Sequence, residues 1–295
     1  MNNITHTPYH SDIYNISSTF SSKRSGKWSL DTIPAYCITL ERRPDRWKKF
    51  QSQLGYSELN IQKFNGIDGK TLDLQNDERV GLSTKRNILL KTRRSHEELD
   101  SIGGVGCALS HIALWKRMVE NQDELMVVFE DDARLPKGYV AQVNNHIQNS
   151  EILKNHNQWD MFMLGSTQQK VTVTTDENII DIQQFFGLYA YVITRKCAEK
   201  LLQKVFPIHC HIDLWICIYK EIYGLTIVCH KGFNLRTNGS QTEIQTSEYC
   251  HICNIPSDFK KNLILIKKRD YYMGLLCELI VVGGFGYIVY KQYWK

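Results

Sequence analysis

The residues best suited to chemistry are Glu130, Asp131 and Asp132, consecutive acids that directly follow the apolar run Leu125 to Phe129. An unbroken apolar run of that length reads as a strand buried on both faces. Carboxylates crowded at its carboxyl end repel one another, and a bound divalent cation relieves that cost. In open α/β sheets this edge is also where ligands bind. Mg²⁺ or Mn²⁺ prefers such oxygen ligands and commonly bridges them to substrate phosphates. On an extended segment Glu130 and Asp132 face the same side, so they can share one ion. The competing reading is a solvated acidic turn.

Three further groups carry chemical potential. Ser110-His111 follows Gly103-Gly104-Val105-Gly106 and reads as the start of a helix, where exposed backbone N–H groups suit a phosphate; His111 is otherwise a hydrogen-bonded core histidine. Arg42-Arg43-Pro44-Asp45-Arg46 offers guanidinium groups for a diphosphate, with Asp45 orienting Arg46 or accepting from a ribose or base. Its bland counterpart is a charged turn that caps a helix, with Asp45 as an early-turn acid. In His211-Ile212-Asp213 the aspartate is either a general base or a helix cap.

The elements that must position these residues are legible as alternating strands and helices. Tyr36, Ile38 and Leu40 recur at period two and predict a first strand over Ile33 to Leu40. Trp47, Phe50 and Leu54 then recur at helical spacing, as do Ala108, Ile112, Trp115 and Val119. Further short strands are expected at Met161–Leu164, Leu188–Thr194 and Leu225–Cys229, with a helix whose inner face is Ala198, Leu201, Leu202 and Val205. This order predicts an α/β fold with a mostly parallel central sheet flanked by helices. Residues 66–100 are polar and without strong period, an excursion from the sheet that carries Lys91, Arg93 and Arg94 as a solvated basic loop or a phosphate clamp.

Charge and cysteine usage narrow the function classes. The net charge is +5, but the Lys and Arg excess lies in residues 1–30 and 260–295, leaving the middle slightly acidic. A nucleic-acid binder carries its basic charge on the domain itself, so that class is set aside. The polar opening, Met1 to Ser22, has no apolar run, which predicts no signal peptide and a cytoplasmic chain. Residues 1–30 read as a polar flexible tail, 31–262 as the folded domain and 263–295 as a basic then apolar segment. Cys250 and Cys253 form a single CxxC without the second pair that a structural zinc needs. A dehydrogenase is excluded because Arg-Arg-Pro-Asp-Arg, not a GxGxxG turn, follows the first strand.

In order and wording these pieces resemble glycosyltransferase family 25, the group containing lipooligosaccharide and procollagen galactosyltransferases. The matching stretches are Tyr36 to Arg46, Phe64-Asn65-Gly66-Ile67-Asp68-Gly69, and Gly103 through His111 to Trp115. Val128 to Asp132, Ala190 to Ala198 and Ile212-Asp213 complete the set, which is collinear over about residues 33–250. The resemblance implies a GT-A-like nucleotide-sugar-binding fold, a UDP-sugar donor (often UDP-galactose), Mn²⁺ or Mg²⁺ on the acidic motif, and inversion at the anomeric carbon. Carried over by position, Glu130 and Asp132 are the metal-site acids. Ser110, His111, Asp131, Arg43, Asp45 and Arg46 line the donor and its nucleotide. Asp213 matches the family's late aspartate and is the candidate base. The acceptor is a glycan or a hydroxylated protein. The match loosens over Phe233 to Ser247, where only Gln241 and Ile244 fit, and a third metal ligand, if there is one, is His230 or His251. A catalytically silent module that binds glycan or protein is the competing function, and the crowded acids argue against it.

Tyr271 to Tyr290 is apolar apart from Glu278, long enough to span a bilayer, and preceded by Lys267-Lys268-Arg269. Glu278 near the middle costs roughly 2.5 kcal/mol or more in lipid. The segment is therefore expected to be either a membrane anchor or surface helix, or a helix packed on the domain.

Overall fold

The computed structural model describes residues 28–54, 59–93, 95, 97–237 and 259–293. The tail up to position 27, Arg94, Gln241, Ile244 and the Cys250-His251-Cys253 group lie outside the described residues.

The central sheet is built from β1 (Ala35–Thr39), β2 (Ile61–Asn65), β3 (Leu125–Glu130), β5 (Met161–Val173), β6 (Ile179–Thr194) and β7 (Ile227–His230), in the order β2-β1-β3-β6-β5-β7. β1 pairs parallel with both β2 and β3, and β5 pairs parallel with β7. β6 runs antiparallel to β3, β5 and β7, so it alone opposes the direction of the other strands of this sheet. The sheet is thus mostly parallel, as expected, with one reversed strand in its middle.

Both faces of this sheet are covered, and the strand sequences show why. Leu125, Val127 and Phe129 of β3 join one core, with Ala35 and Cys37 of β1. Met126 and Val128 join the other, with Tyr36. Successive side chains of a strand point to opposite faces, so an apolar residue at every position means a layer on each side. One layer is α3 (Ile102–Asn121), α6 (Arg195–Leu202) and α7 (Ile212–Tyr223). The other contains α1 (Pro44–Gln51), α4 (Tyr139–Asn149) and α5 (Glu151–Lys154). Two short pieces, β4 (Ala133–Arg134) and β8 (Arg236–Thr237), pair antiparallel beside the acidic turn.

Several sequence expectations need correction. The folded part reaches back into the stretch read as a flexible tail: Trp28 and Leu30 are buried, and the Trp28 indole donates to the Leu153 carbonyl at 2.8 Å. The polar excursion 66–100 holds a helix, α2 (Leu82–Leu90), and Arg93 is not solvated but lies 3.6 Å from Asp100 in a buried pair. The short strands at 161–164 and 188–194 are the inner ends of a long β5–β6 hairpin. Its outer half carries Gln168, Lys170, Gln183 and Gln184, polar residues that broke the apolar pattern.

The last element is α8 (Phe259–Tyr293). Its start packs on α7 through buried Ile264, Lys267 over the Trp215 ring, and Tyr271 edge-on to Tyr223. Beyond that, Met273, Leu275, Leu276, Leu279 and Ile280 are exposed. Among the described residues no helix is long and apolar enough to cross a membrane.

Candidate active site

The acidic turn sits where β3 ends, at the carboxyl edge of the parallel strands. Glu130 is the last residue of β3, and the Asp131 N–H donates to the Ile38 carbonyl of β1 at 3.2 Å. The neighbouring strand ends therefore hold the turn. Asp131 is buried and Asp132 largely so.

Arg46 answers these acids. Pro44 occupies the first turn of α1, where its fixed φ and missing N–H cost nothing. That start aims Arg46 across the sheet edge: its guanidinium lies 3.1 Å from Asp131 Oδ1 and 3.3 Å from Asp132 Oδ2. One cation does not neutralise three carboxylates. Burial, then the charge of Glu130, pushes the Asp132 carboxyl up to about 7 despite Arg46. Burial also raises Asp131, with Arg46 the main opposing influence. Asp132 Oδ1 is buried without a hydrogen-bond partner among the described residues. A buried carboxylate oxygen left unmade is costly, and a divalent cation fits this set on charge and on donor type.

The other arginines of the motif act locally. Arg43 and Asp45 form a two-pronged pair, with contacts of 2.9 and 2.7 Å, and that guanidinium holds the exposed Asp45 carboxyl down at about 2. Arg42 pairs with Asp68, which ties the loop after β1 to the turn after β2.

Ser110 and His111 do not start a helix. α3 begins at Ile102, with Ser101 as its cap accepting from the Gly104 N–H, so both residues lie two turns further in. The glycines expected to cradle phosphate instead permit close backbone contact. A Cβ on Gly106 would stand 2.5 Å from the Ile67 carbonyl oxygen, and one on Gly69 would stand 1.9 Å from that of Ile102. Ser110 secures the same joint: its hydroxyl donates to the Gly106 carbonyl and accepts from the Ile67 N–H at 2.8 Å. The glycine and serine pieces of the motif thus hold α3 against the loop that follows β2.

His111 is fully buried and reaches the acidic turn from inside. Its Nε2 lies 3.2 Å from Glu130 Oε1 and its Nδ1 lies 2.8 Å from the Tyr191 hydroxyl, which also accepts from the Trp115 indole N–H at 3.1 Å. Burial raises the Tyr191 phenol well above its usual value, so it keeps its proton. Cys107 stands beside them with Sγ 4.0 Å from Glu130 Oε1. Among the described residues, Cys107, His111 and Glu130 form the group whose metal-ligating atoms all lie within 4.8 Å of one another.

Asp213 lies against β6, the strand that carries Tyr191. Burial, then the charges of Glu130, Asp213, Asp132 and Asp131, raise the Cys107 thiol well above its usual value. Asp213 is in the first turn of α7, and its Oδ2 accepts from the Gly187 N–H at 2.7 Å. Gly187 has φ +78°, a left-handed conformation that favours glycine. His230 lies elsewhere: its ring stacks on His146 at 3.6 Å between centroids, and its Nδ1 accepts from the Gly232 N–H.

Tyr191 and Trp115 escaped the sequence reading as site residues. Both sat within apolar patterns, and an aromatic residue at core spacing gives no sign that its polar atom faces a site.

Comparison with known proteins gives the family. The family described as "Glycosyltransferase family 25 (LPS biosynthesis protein)" matches residues 32–216. A "Glycosyltransferase 25 family member" of Drosophila pseudoobscura pseudoobscura is 23% identical over 288 residues, covering 87% of this chain and 44% of the relative. "Procollagen galactosyltransferase 1" of Danio rerio is 25% identical, covering 61% of this chain and 30% of the relative. "Inactive glycosyltransferase 25 family member 3" of Mus musculus is 27% identical, covering 63% and 31%. The chain spans less than half the length of each of these relatives.

Proposed function

The chain belongs to glycosyltransferase family 25, and from that premise we propose that it moves a hexose, galactose first among the candidates, from a UDP-sugar to an acceptor hydroxyl with inversion. The acceptor is a glycan or a hydroxylated protein; the Danio rerio relative is named for galactose transfer and procollagen. The observation that carries this reading is the buried Oδ1 of Asp132, without a hydrogen-bond partner among the described residues, at the carboxyl edge of the sheet beside Glu130.

In this reading Glu130 and Asp132 hold Mn²⁺ or Mg²⁺, which when bound stabilises negative charge on the departing diphosphate. Arg46 keeps Asp131 and Asp132 in place at the sheet edge and, with Arg43 and Asp45, faces the nucleotide. Asp213 accepts the proton of the acceptor hydroxyl. The acceptor oxygen forms its bond to the anomeric carbon as the bond from that carbon to the UDP oxygen breaks. The electron pair leaves with UDP. Ser110 supports the donor site indirectly, through the α3 joint.

A second reading keeps the fold without catalysis, since the Mus musculus relative is named inactive. UDP release separates the two. The expected result is release from one UDP-sugar in Mn²⁺, abolished by EDTA and by Asp132→Ala. No release with any donor, together with no Mn²⁺-dependent UDP binding by calorimetry, overturns the catalytic reading.

We also assign the chain to a membrane surface on the cytoplasmic side. Met273, Leu275, Leu276, Leu279 and Ile280 are exposed on α8, behind the basic run Lys267-Lys268-Arg269.

A further inference from the structure

We propose that Trp115 and Tyr191 are positioning residues that fix the tautomer of His111, so that His111 donates to Glu130 and turns that carboxylate's second oxygen toward the cation. The inference rests on the reading of Glu130 as a metal-site acid.

The argument follows from what each group can do. An indole N–H only donates. Trp115 Nε1 points at the Tyr191 oxygen from 3.1 Å, so that oxygen is an acceptor in this contact. The Tyr191 hydrogen must then go elsewhere, and His111 Nδ1 stands 2.8 Å away. Nδ1 accepts it, which places the imidazole proton on Nε2. Nε2–H faces Glu130 Oε1 at 3.2 Å and donates to it. Trp115, Tyr191 and His111 are all fully buried, so water does not compete for any of these groups. One donor-only group at the inner end therefore sets the direction of every bond in the chain.

Two consequences follow for Glu130. Its Oε1 receives His111 Nε2–H, with the Cys107 thiol on the same oxygen at 4.0 Å. No described residue donates to Oε2, which is left for a ligand. The same direction argues against His111 as a metal ligand, although it stands with Cys107 and Glu130 in a ligand-like group. To present the Nε2 lone pair, His111 would carry its proton on Nδ1. Tyr191 would then be offered two hydrogens and have no acceptor for its own, in a site closed to water. Holding a ligating carboxylate by a neighbouring donor is a common way in which proteins tune a metal site.

The test uses the full-length protein. Nitrogen-15 labelling of histidine and long-range nitrogen–proton NMR report the His111 tautomer directly, and Mn²⁺ affinity is read from the free-ion signal in electron paramagnetic resonance. The wild type is expected to show Nε2–H. Tyr191→Phe is expected to lose the single tautomer and to weaken Mn²⁺ binding by about 10–100-fold. Trp115→Phe removes the directing N–H while keeping a ring, so it should mix the tautomers even if Tyr191→Phe does not fold. Restoring a donor through His111→Gln should recover Mn²⁺ affinity relative to His111→Ala. An Nδ1–H tautomer in the wild type, or Tyr191→Phe binding Mn²⁺ as tightly as the wild type, overturns the relay alone. A wild type that binds no Mn²⁺ overturns the reading of Glu130 itself, and the relay's purpose with it.

Discussion

The guanidinium of Arg46 lies 3.3 Å from Asp132 Oδ2, while the other oxygen of that carboxylate is buried without a hydrogen-bond partner among the described residues. The pair joins the first turn of α1 to the end of β3, and Asp131 shares the same guanidinium at 3.1 Å. Removing the arginine would take away the guanidinium that both mostly buried acids face. Arg46→Ala should destabilise the metal-free protein by about 3 kcal/mol, and Arg46→Lys should recover only part of that because a point charge cannot serve two carboxylates with a planar fork. Urea unfolding monitored by tryptophan fluorescence measures it. A change under about 0.5 kcal/mol, the range of ordinary surface substitutions, would remove Arg46 from its structural role.

Asp132 also makes a pH prediction. Its folded carboxyl titrates at about 7, above the ordinary 3.8. A raised carboxyl favours the protonated form, so its contribution to stability is full below about 3.8 and is lost as pH rises to about 7. A cation displaces that proton, so Mn²⁺ affinity should rise with pH up to about 7 and level off above it. Asp132→Asn should remove the dependence. Calorimetric titrations at pH values on either side of 7 read the proton release, and a flat affinity across them contradicts the shift.

Gly106 tests the joint between α3 and the loop after β2. Alanine there meets the backbone of Ile67 at 2.5 Å and of Gly69 at 2.7 Å, and neither can swing away. Overpacking costs about 1–3 kcal/mol and outweighs the helix-propensity gain of just under about 1 kcal/mol. Gly104→Ala should be milder, since its nearest neighbour is the tip of the Leu99 side chain. Thermal unfolding of the two variants ranks them, and equal melting temperatures would show that the loop yields.

Asp213→Asn separates a general base from a structural acceptor. Asp213→Asn keeps an oxygen able to accept from the Gly187 N–H but cannot take a proton. Turnover should fall by about 10²–10⁴-fold while the melting temperature changes little. Turnover at the wild-type rate would leave Asp213 as a structural acceptor for the Gly187 N–H and send the search for the base elsewhere.

The C-terminal helix is tested by flotation with anionic lipid vesicles. The full chain should float with the vesicles, while a chain ending at Tyr272, which keeps Ile264, Lys267 and Tyr271 against α7, should not. Equal behaviour of the two removes the membrane assignment.

The sequence by itself determined the layered α/β plan, the buried strand that ends in Glu130-Asp131-Asp132, and the family resemblance. The reason is local: strand and helix periods, and charge placed directly after an apolar run, are properties of neighbouring residues. Only the tertiary structure decided what the motifs do with one another. It turned the Gly103 to Ser110 stretch from a phosphate cradle into a backbone joint, because the close approach of Gly106 to Ile67 spans 39 positions of chain. It chose Arg46, not Arg43, as the direct partner of Asp131 and Asp132. It linked His111 to Tyr191 across 80 positions. Such pairings depend on which strands become neighbours and where an antiparallel β6 brings its side chains, and no spacing along the chain encodes that.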